Sequence, residues 1–319
     1  MTKLVLPKPG QTLFRFDLQS SRRPPLFALI LKRVLRIVPC SWRASVYQAC
    51  TRNQHIHTRI TSRVFRLPFG LVLKTFSELP VEADALKLVE SLRGIHTPYL
   101  VDYTSLDSRG FLLTTWVEGE TLGHAWDRLS ATDKQRVVVD LRSQFDQMRQ
   151  QTISSPPRPR MICNASDGPI NDPRIPWVGE ENAQTFQAPP QFAEQVWIGL
   201  DWKNNRDTLK PLLQPLIDRP DVHVVFSHGD LLPKNLILPG GLTKWRSSSS
   251  LDDSTKITII DWEFAGWMPN FWDSLKATWM ECEADTEWTE MIRCIFPECA
   301  VELDADWQWR SRSRVTILA

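Results

Sequence analysis

The sequence predicts an α+β protein of two lobes, in which a small antiparallel sheet carrying one helix precedes a mainly helical region. Four short β-prone runs and one helical pattern lie between residues 60 and 117, with turn signals between them. Beyond Glu118-Gly119 the apolar residues recur mostly at helical spacing. The chain has 319 residues, 42% of them hydrophobic and 24% charged, which is enough apolar material for a folded protein of this size.

The elements of the small sheet follow one another in a regular order. Its first two runs, 63–67 and 71–76, flank Pro-Phe-Gly, which favours a hairpin. A helix begins after Pro80, where apolar residues recur on one face. Two further strands are predicted at 99–103 and 111–116.

Residues 1–58, which precede the first lobe at 59–117, are predicted to form a helical N-terminal extension without a catalytic motif. Their most apolar segment, Leu26–Val38, contains Arg33 and Arg36 and is shorter than the ~20 residues that span a bilayer. We therefore expect no membrane span but an amphipathic helix that packs on the protein. Docking on a membrane surface is the alternative for this segment.

Charge and cysteine usage limit the class of protein. Lys and Arg number 38 and Asp and Glu 37, so the net charge is +1 and a general nucleic-acid binder is excluded. The six cysteines include no C-x-x-C pair, and the N-terminus does not read as a secretory signal peptide. We expect free thiols in a reducing compartment and a cytoplasmic location.

The second lobe is predicted over residues 118–319, with short strands at 236–238 and 257–260 among its helices. Between these strands lies a Ser- and Gly-rich segment, 240–256, that is predicted to be a surface loop without an apolar face. Removing residues 243–254 should leave folding nearly unchanged, because loop length alters closure entropy only slowly.

Three polar residues lie at strand ends within FSHGDLLPKNLIL, residues 226–238, and TIIDWEFAG, residues 258–266. Asp230 occupies a loop after a buried strand, and Asn235 comes five residues later, just before the next strand. Asp261 ends the strand expected to pair with that one, so the three side chains should converge. A carboxylate and an amide that can bind a hard cation, beside a second carboxylate near the substrate, suit phosphoryl transfer.

The pattern H-G-D-x-x-x-x-N followed by I-D-W-E resembles the aminoglycoside phosphotransferase and choline kinase group of protein-kinase-like enzymes. The resemblance covers roughly residues 60–280 and includes GLVLK, which contains Lys74, and the linker-like TTWVEGETL. These motifs are similar in style to fungal aminoglycoside phosphotransferase domain proteins. The resemblance implies a bilobal protein-kinase-like fold and a kinase that uses ATP and Mg²⁺ to phosphorylate a hydroxyl of a small molecule.

The resemblance also implies a role for each motif residue. Asp230 would be the catalytic carboxylate that orients the substrate hydroxyl, while Asn235 and Asp261 would complete the catalytic set by holding Mg²⁺. Lys74 would contact the α- and β-phosphates of ATP, held by an ion pair with Glu82. Backbone groups of three linker residues would meet the adenine: Thr115, Trp116 and Val117.

Other residues near these motifs have supporting or competing roles. His228 and Asp273 are expected to brace the catalytic loop. Asp84 and Glu90 lie on the same predicted helix as Glu82 and are alternative partners for Lys74. The hairpin before Lys74 has no G-x-G-x-x-G, and the chain has no G-x-x-x-x-G-K-[ST], which excludes a P-loop kinase.

Two other classes compete with a small-molecule kinase. A protein kinase needs an activation segment, but only about a dozen residues separate Asp261 from the helix that contains Asp273. A pseudokinase or interaction protein of the same fold would bind nucleotide or a partner without transferring phosphate. The presence of Asp230, Asn235, Asp261 and Lys74 together favours the enzyme.

An acidic stretch, WMECEADTEWTEM, suggests that the molecule which accepts the phosphoryl group carries a positive charge. Its carboxylates stand close to tryptophans in the sequence, and three more tryptophans precede it: Trp262, Trp267 and Trp272. Carboxylates and indole faces both attract cations, so the stretch predicts an amino- or ammonium-bearing alcohol. A solvated acidic helix face beside core tryptophans is the alternative. The acidic residues are Glu281, Glu283, Asp285, Glu287 and Glu290.

Overall fold

The computed structural model describes residues 25–52, 58–77, 81–153, 161–175, 184–197, 203–219, 221–248 and 255–312. The first 24 residues of the predicted extension and residues 249–254 of the predicted loop lie outside the described residues.

The first lobe is built on a five-stranded sheet in which every neighbouring pair is antiparallel. The order across the sheet is β1-β2-β3-β5-β4. The strands are β1 (Thr58–Arg59), β2 (Val64–Leu67), β3 (Leu71–Phe76), β4 (Leu100–Leu106) and β5 (Arg109–Thr115). The predicted hairpin is confirmed: its turn, Pro68–Gly70, holds Phe69 at φ 62° and Gly70 at φ 67°. β1 was not predicted, because two residues carry too little pattern.

One side of this sheet is covered by the two N-terminal helices, α1 (Leu26–Ile37) and α2 (Cys40–Arg52). They share an apolar cluster with strand residues that point to that side, among them Leu73 and Phe111. Ala44 in α2 is fully buried, and its small side chain lets the helix approach the sheet closely. The predicted extension therefore packs on the first lobe in its described part.

The other side of the sheet faces α3 (Val81–Ser91), the predicted helix, and the second lobe. Side chains alternate along a strand, so Leu73 points towards α1 and α2 while Lys74 points to the side of α3. No described helix, on either side of the sheet or in the second lobe, is long and apolar enough to cross a membrane.

The second lobe combines helices with two small antiparallel sheets, of order β10-β9-β6 and β7-β11-β8. The strands are β6 (Gly119–Thr121), β7 (Cys163–Asn164), β8 (Val224–Ser227), β9 (Leu236–Pro239), β10 (Thr258–Ile259) and β11 (Gly266–Pro269). The helices are α4 (Leu122–Ala125), α5 (Ala131–Ile153), α6 (Pro189–Trp197), α7 (Lys203–Ile217), α8 (Gly241–Ser247), α9 (Trp272–Thr278), α10 (Glu287–Ile295) and α11 (Ala300–Arg312). The predicted pairing of the strand after Asn235 with the strand before Asp261 is confirmed as β9–β10.

A buried charge network joins α11 to the rest of the second lobe. Asp306 is fully buried and accepts hydrogen bonds from Arg174 and, at 3.2 Å, from the indole N–H of Trp197. Arg310 donates to the other oxygen of Asp306 at 3.0 Å. Arg174 is itself only 2% exposed, and the carboxylates of Asp306 and Asp172 balance its buried charge.

The prediction of a surface loop at 240–256 is wrong for the part that is described. Residues 241–247 form α8, and both Leu242 and Trp245 are buried, Trp245 completely. The guanidinium of Arg136 lies 4.1 Å from the Trp245 ring and donates to the Trp245 carbonyl at 2.7 Å. Leu242 and Trp245 are three positions apart and so share one helix face. Two apolar residues beside a run of serines are too few to indicate a helix in the sequence. Removing residues 243–254 would therefore take a side chain out of the core.

Candidate active site

The predicted ion pair between Lys74 and Glu82 is present. β3 directs Lys74 towards the first turn of α3, where its ammonium lies 2.7 Å and 2.9 Å from the two carboxylate oxygens of Glu82. The two alternative carboxylates have other partners. Asp84 accepts from Lys87 and Ser166, and Glu90 accepts from Lys32 and from the Leu100 backbone. The partner of Lys74 on α3 is thus Glu82.

Lys74 also reaches across to the second lobe. Its ammonium lies 2.8 Å from Oδ1 of Asp261, just beyond β10. Burial alone would lower the pKa of Lys74, but Glu82 and Asp261 outweigh it and raise that pKa above its usual value. Burial would raise the pKa of Asp261, yet Lys74 holds it below its usual range. For Glu82, 3% exposed, burial dominates and raises the pKa.

Two buried groups hold the loop that carries Asp230. The carboxylate of Asp273 on α9 accepts the backbone N–H groups of His228 and Gly229, both at 3.0 Å. The His228 ring accepts the Asp230 N–H through Nδ1 at 3.1 Å, so its Nε2–H donates to the Ile260 carbonyl at 2.9 Å. Both residues therefore lie where a brace for the loop was expected.

Asp230 and Asn235 are in direct contact. The side-chain amide of Asn235 donates at 2.8 Å both to the Asp230 carbonyl and to its Oδ2. The Asn235 carbonyl accepts the N–H of Ile260 at 2.9 Å, which ties this loop to the end of β10 and hence to Asp261. Lys234, which the sequence did not single out, lies 3.4 Å from Asp230 Oδ2.

Two backbone conformations bring these loops together. Gly229 has φ 79°, and a Cβ at this position would lie 2.3 Å from the carbonyl oxygen of Phe264. Only glycine fits there, because any side chain would push the two loops apart. Asp261 itself has φ 69°, a left-handed conformation that is uncommon for a residue other than glycine and is often found at functional sites.

These contacts bring together, where the two lobes meet, the five residues singled out for catalysis and phosphate binding: Lys74, Glu82, Asp230, Asn235 and Asp261. Residues 42–293 match the phosphotransferase enzyme family, which is most of the chain. The chain belongs to this family. No curated protein matches it. Family membership confirms the protein-kinase-like α+β fold and supports phosphoryl transfer as the class of reaction.

Fewer backbone N–H groups of the linker between the lobes are free to bind adenine than the sequence suggested. The Thr115 N–H donates to the Tyr99 carbonyl at 3.0 Å, and the Trp116 N–H donates to the Gly70 carbonyl at 2.7 Å. Within the described part of the chain, the N–H of Val117 has no hydrogen-bond acceptor. Val117 is therefore the linker residue whose N–H is available to a base, while Thr115 and Trp116 shape the linker around it.

The residues present fit the Mg²⁺ that phosphotransferases of this family generally use. Oδ2 of Asp261 and the side-chain oxygen of Asn235 make no hydrogen bond with a described residue, and both are ligands that Mg²⁺ accepts. Among the described residues, no three or more His, Cys, Asp or Glu form a metal cage. Mg²⁺ needs no such cage, since it is usually held through one or two carboxylates and the phosphates of a nucleotide.

Glu263 belongs to the I-D-W-E motif, but no role was predicted for it from the sequence. Burial raises the pKa of the Glu263 carboxyl, and the nearby charges of Asp261 and Glu82 raise it further. The charges of Lys74 and Arg63 lower that pKa. Arg63 lies in the turn between β1 and β2. Glu263 thus adds a third carboxyl group to the surroundings of Lys74, beside Glu82 and Asp261.

Three tryptophans in or before the acidic stretch contribute to the core and not to a binding surface. Trp262 and Trp272 are fully buried, and Trp288 is 4% exposed with its indole N–H donating to the Ala277 carbonyl. The faces of these three rings are not accessible to a ligand, whereas Trp267 and Trp279 are half-buried. Of the acidic residues, four are exposed and Glu281 is half-buried: the four are Glu283, Asp285, Glu287 and Glu290.

Proposed function

We propose that the protein is a small-molecule kinase that transfers the γ-phosphoryl group of ATP to a hydroxyl. The observation that carries this proposal is the contact of Lys74 with both Glu82 and Asp261, beside the hydrogen-bonded pair Asp230 and Asn235. A phosphate-binding lysine, two oxygen ligands for a metal and a separate carboxylate are the parts that phosphoryl transfer requires.

Each residue has a definite task in this proposal. Lys74 binds the α- and β-phosphates through its charged ammonium, and Glu82 keeps that ammonium in position. Asn235 and Asp261 hold Mg²⁺, which when bound neutralises the charge of the phosphates. Asp230 orients the acceptor hydroxyl and takes its proton, and the amide of Asn235 holds the carboxylate for that task.

The short connection after Asp261 argues against a polypeptide acceptor. The ten residues from 262 to 271 contain only β11 and one short turn on each side of it. A protein kinase uses a longer activation segment at this place to bind its substrate chain. A small molecule is therefore assigned as the phosphoryl acceptor.

An amino-bearing alcohol is our first choice of acceptor. The acidic stretch follows α9, and Lys276 of that helix lies 5.3 Å from the ring of Phe264, three residues beyond Asp261. Exposed carboxylates on this lobe would favour a cationic acceptor mainly by charge, since Trp262, Trp272 and Trp288 are buried. All six cysteines are free thiols, which supports the expected reducing, cytoplasmic compartment.

The test is a turnover assay with Mg·ATP against a panel of amino alcohols, neutral alcohols and sugars, run beside thermal melts with and without Mg·ATP. We expect ADP release that depends on one class of alcohol, together with a rise in Tm. A rise in Tm without turnover on any alcohol would favour the alternative, a nucleotide-binding pseudokinase. The absence of both turnover and a shift in Tm would contradict the kinase assignment.

A further inference from the structure

An apolar surface is exposed on the two N-terminal helices. We call it the outer helical surface and define it by Leu26, Phe27, Ile30, Val34, Ile37, Trp42 and Val46. These are seven of the fourteen large apolar side chains exposed in the described residues, although they come from a stretch of only 21 positions. Ile37 is 83% exposed and Trp42 70%. Phe69, 82% exposed, adjoins the surface, since its ring centroid lies 5.7 Å from that of Phe27.

The spacing of these residues gives each helix a second apolar side. In α1, Leu26, Ile30 and Val34 follow one another at intervals of four and form one stripe, while the buried Ala28 lies on the opposite side. Trp42 and Val46 repeat the interval on α2. Both helices pack on the same side of the sheet, so both stripes point away from it in the same direction. A helix that is apolar on two sides is usually covered on both.

Charge identifies what covers this surface. Residues 26–52 contain five Lys and Arg and no Asp or Glu, in a chain whose net charge is only +1. Lys32 and Arg43 are engaged with Glu90 and Asp102. Arg33 and Arg36 are exposed beside the α1 stripe and form no ion pair with any described residue. Apolar stripes edged by free arginines, with an exposed tryptophan, are typical of helices that lie in the interface of an anionic membrane.

We propose that the outer helical surface docks on an anionic lipid bilayer. The apolar stripes enter the boundary between headgroups and acyl chains, and Arg33 and Arg36 contact lipid phosphates. A second copy of the chain fits less well, because face-to-face pairing would oppose two surfaces that carry cations without anions. Lys74 lies on the other side of the sheet, so the outer helical surface and the proposed catalytic residues are separated by the sheet.

The test is sedimentation of the full-length protein with vesicles, without nucleotide, so that its result is independent of the kinase activity. We expect binding to vesicles of phosphatidylcholine mixed with phosphatidylserine, weaker binding at high salt, and little binding to phosphatidylcholine alone. The double variant Arg33→Gln/Arg36→Gln should lower the partition coefficient about 30-fold, which corresponds to about 1 kcal/mol per cation. Ile30→Ser/Val34→Ser should lower it at least tenfold.

The control is Val139→Ser/Arg142→Gln, which removes an exposed valine and arginine from α5 in the second lobe and should leave vesicle binding unchanged. Thermal melts show that each variant is folded. The absence of binding to the anionic vesicles, or equal binding by the α1 variants, would overturn the proposal. So would a dimer in sedimentation velocity that Ile30→Ser/Val34→Ser converts to monomer, because the surface would then join two copies.

Discussion

Lys74 and Asp261 are joined by a 2.8 Å ion pair although 187 residues of sequence separate them. The pair links β3 of the first lobe to the end of β10 in the second. Because Lys74 also holds Glu82, one ammonium is shared between a helix of one lobe and a loop of the other. A phosphate group that binds Lys74 has to compete with Asp261 for it. In the proposed reaction Asp261 then becomes available as a metal ligand.

Replacing Glu82 with Gln should weaken Mg·ATP binding. Lys74 loses a charged partner, and a charge-assisted hydrogen bond of about 1.4 kcal/mol corresponds to a tenfold rise in Kd. Isothermal titration with Mg·ATP measures the change. Glu90→Gln is the matched control on α3, since Glu90 pairs with Lys32 and not with Lys74. An equal loss of affinity in both variants would refute the special role of Glu82.

Asp230→Asn and Asp261→Ala should separate turnover from nucleotide binding. Asp230→Asn should lower kcat about 10²–10⁴-fold, the usual effect of losing a general base, and leave the Kd for Mg·ATP nearly unchanged. Asp261→Ala should raise that Kd because it removes a metal ligand. Steady-state kinetics and titration calorimetry give the two quantities. If both variants lost Mg·ATP binding equally, the division of roles would be wrong.

Trp245→Ala should destabilise the protein by about 3–5 kcal/mol, since it empties a fully buried site in the core. Urea denaturation measures this through the free energy of unfolding. Lys244→Ala, at the neighbouring exposed position of α8, should change it little. A Trp245→Ala variant as stable as the wild type would show that α8 does not pack as described.

The cysteines should differ in their reaction with a thiol reagent as the pH rises. Burial raises the pKa of Cys163 to about 11 and that of Cys299 to about 12. The thiolate is the reactive form, so these two stay protonated and slow at neutral pH and gain reactivity only at strongly alkaline pH. Cys40 and Cys282 are exposed and should react first. Mass spectrometry of the labelled protein shows the order, and early labelling of Cys163 or Cys299 would contradict it.

The motif residues could be found in the sequence because each motif is local. Asp230 and Asn235 are five positions apart, and their contact follows from one turn of the chain. Lys74 and Glu82 lie on adjacent elements of one lobe. The contact between Lys74 and Asp261 was not predicted, because it depends on how the two lobes sit against each other.

The burial of aromatic residues was harder to predict than their presence. Trp245 lies among serines, so its neighbours indicate a loop, yet Arg136 and the core of the second lobe hold it. Trp262 and Trp272 stand beside chemistry-bearing residues, which suggested a binding surface. Their neighbours in space are core residues such as Phe226 and Phe192. The position of a tryptophan in the sequence therefore does not show whether it lies in the core or on a binding surface.

The network of Arg174, Asp306 and Arg310 makes the packing of the second lobe depend on two segments that are 132 positions apart in the sequence. Asp306 belongs to α11, the last helix of the described residues, so it leaves the ribosome well after Arg174. Until Asp306 emerges, Arg174 lacks the carboxylate to which its guanidinium donates, and the buried network cannot form. The family match stops at residue 293, yet a protein trimmed there would lack Asp306. Its Arg174 would lose the carboxylate to which its guanidinium donates, and only Asp172 would remain to balance its charge in the core.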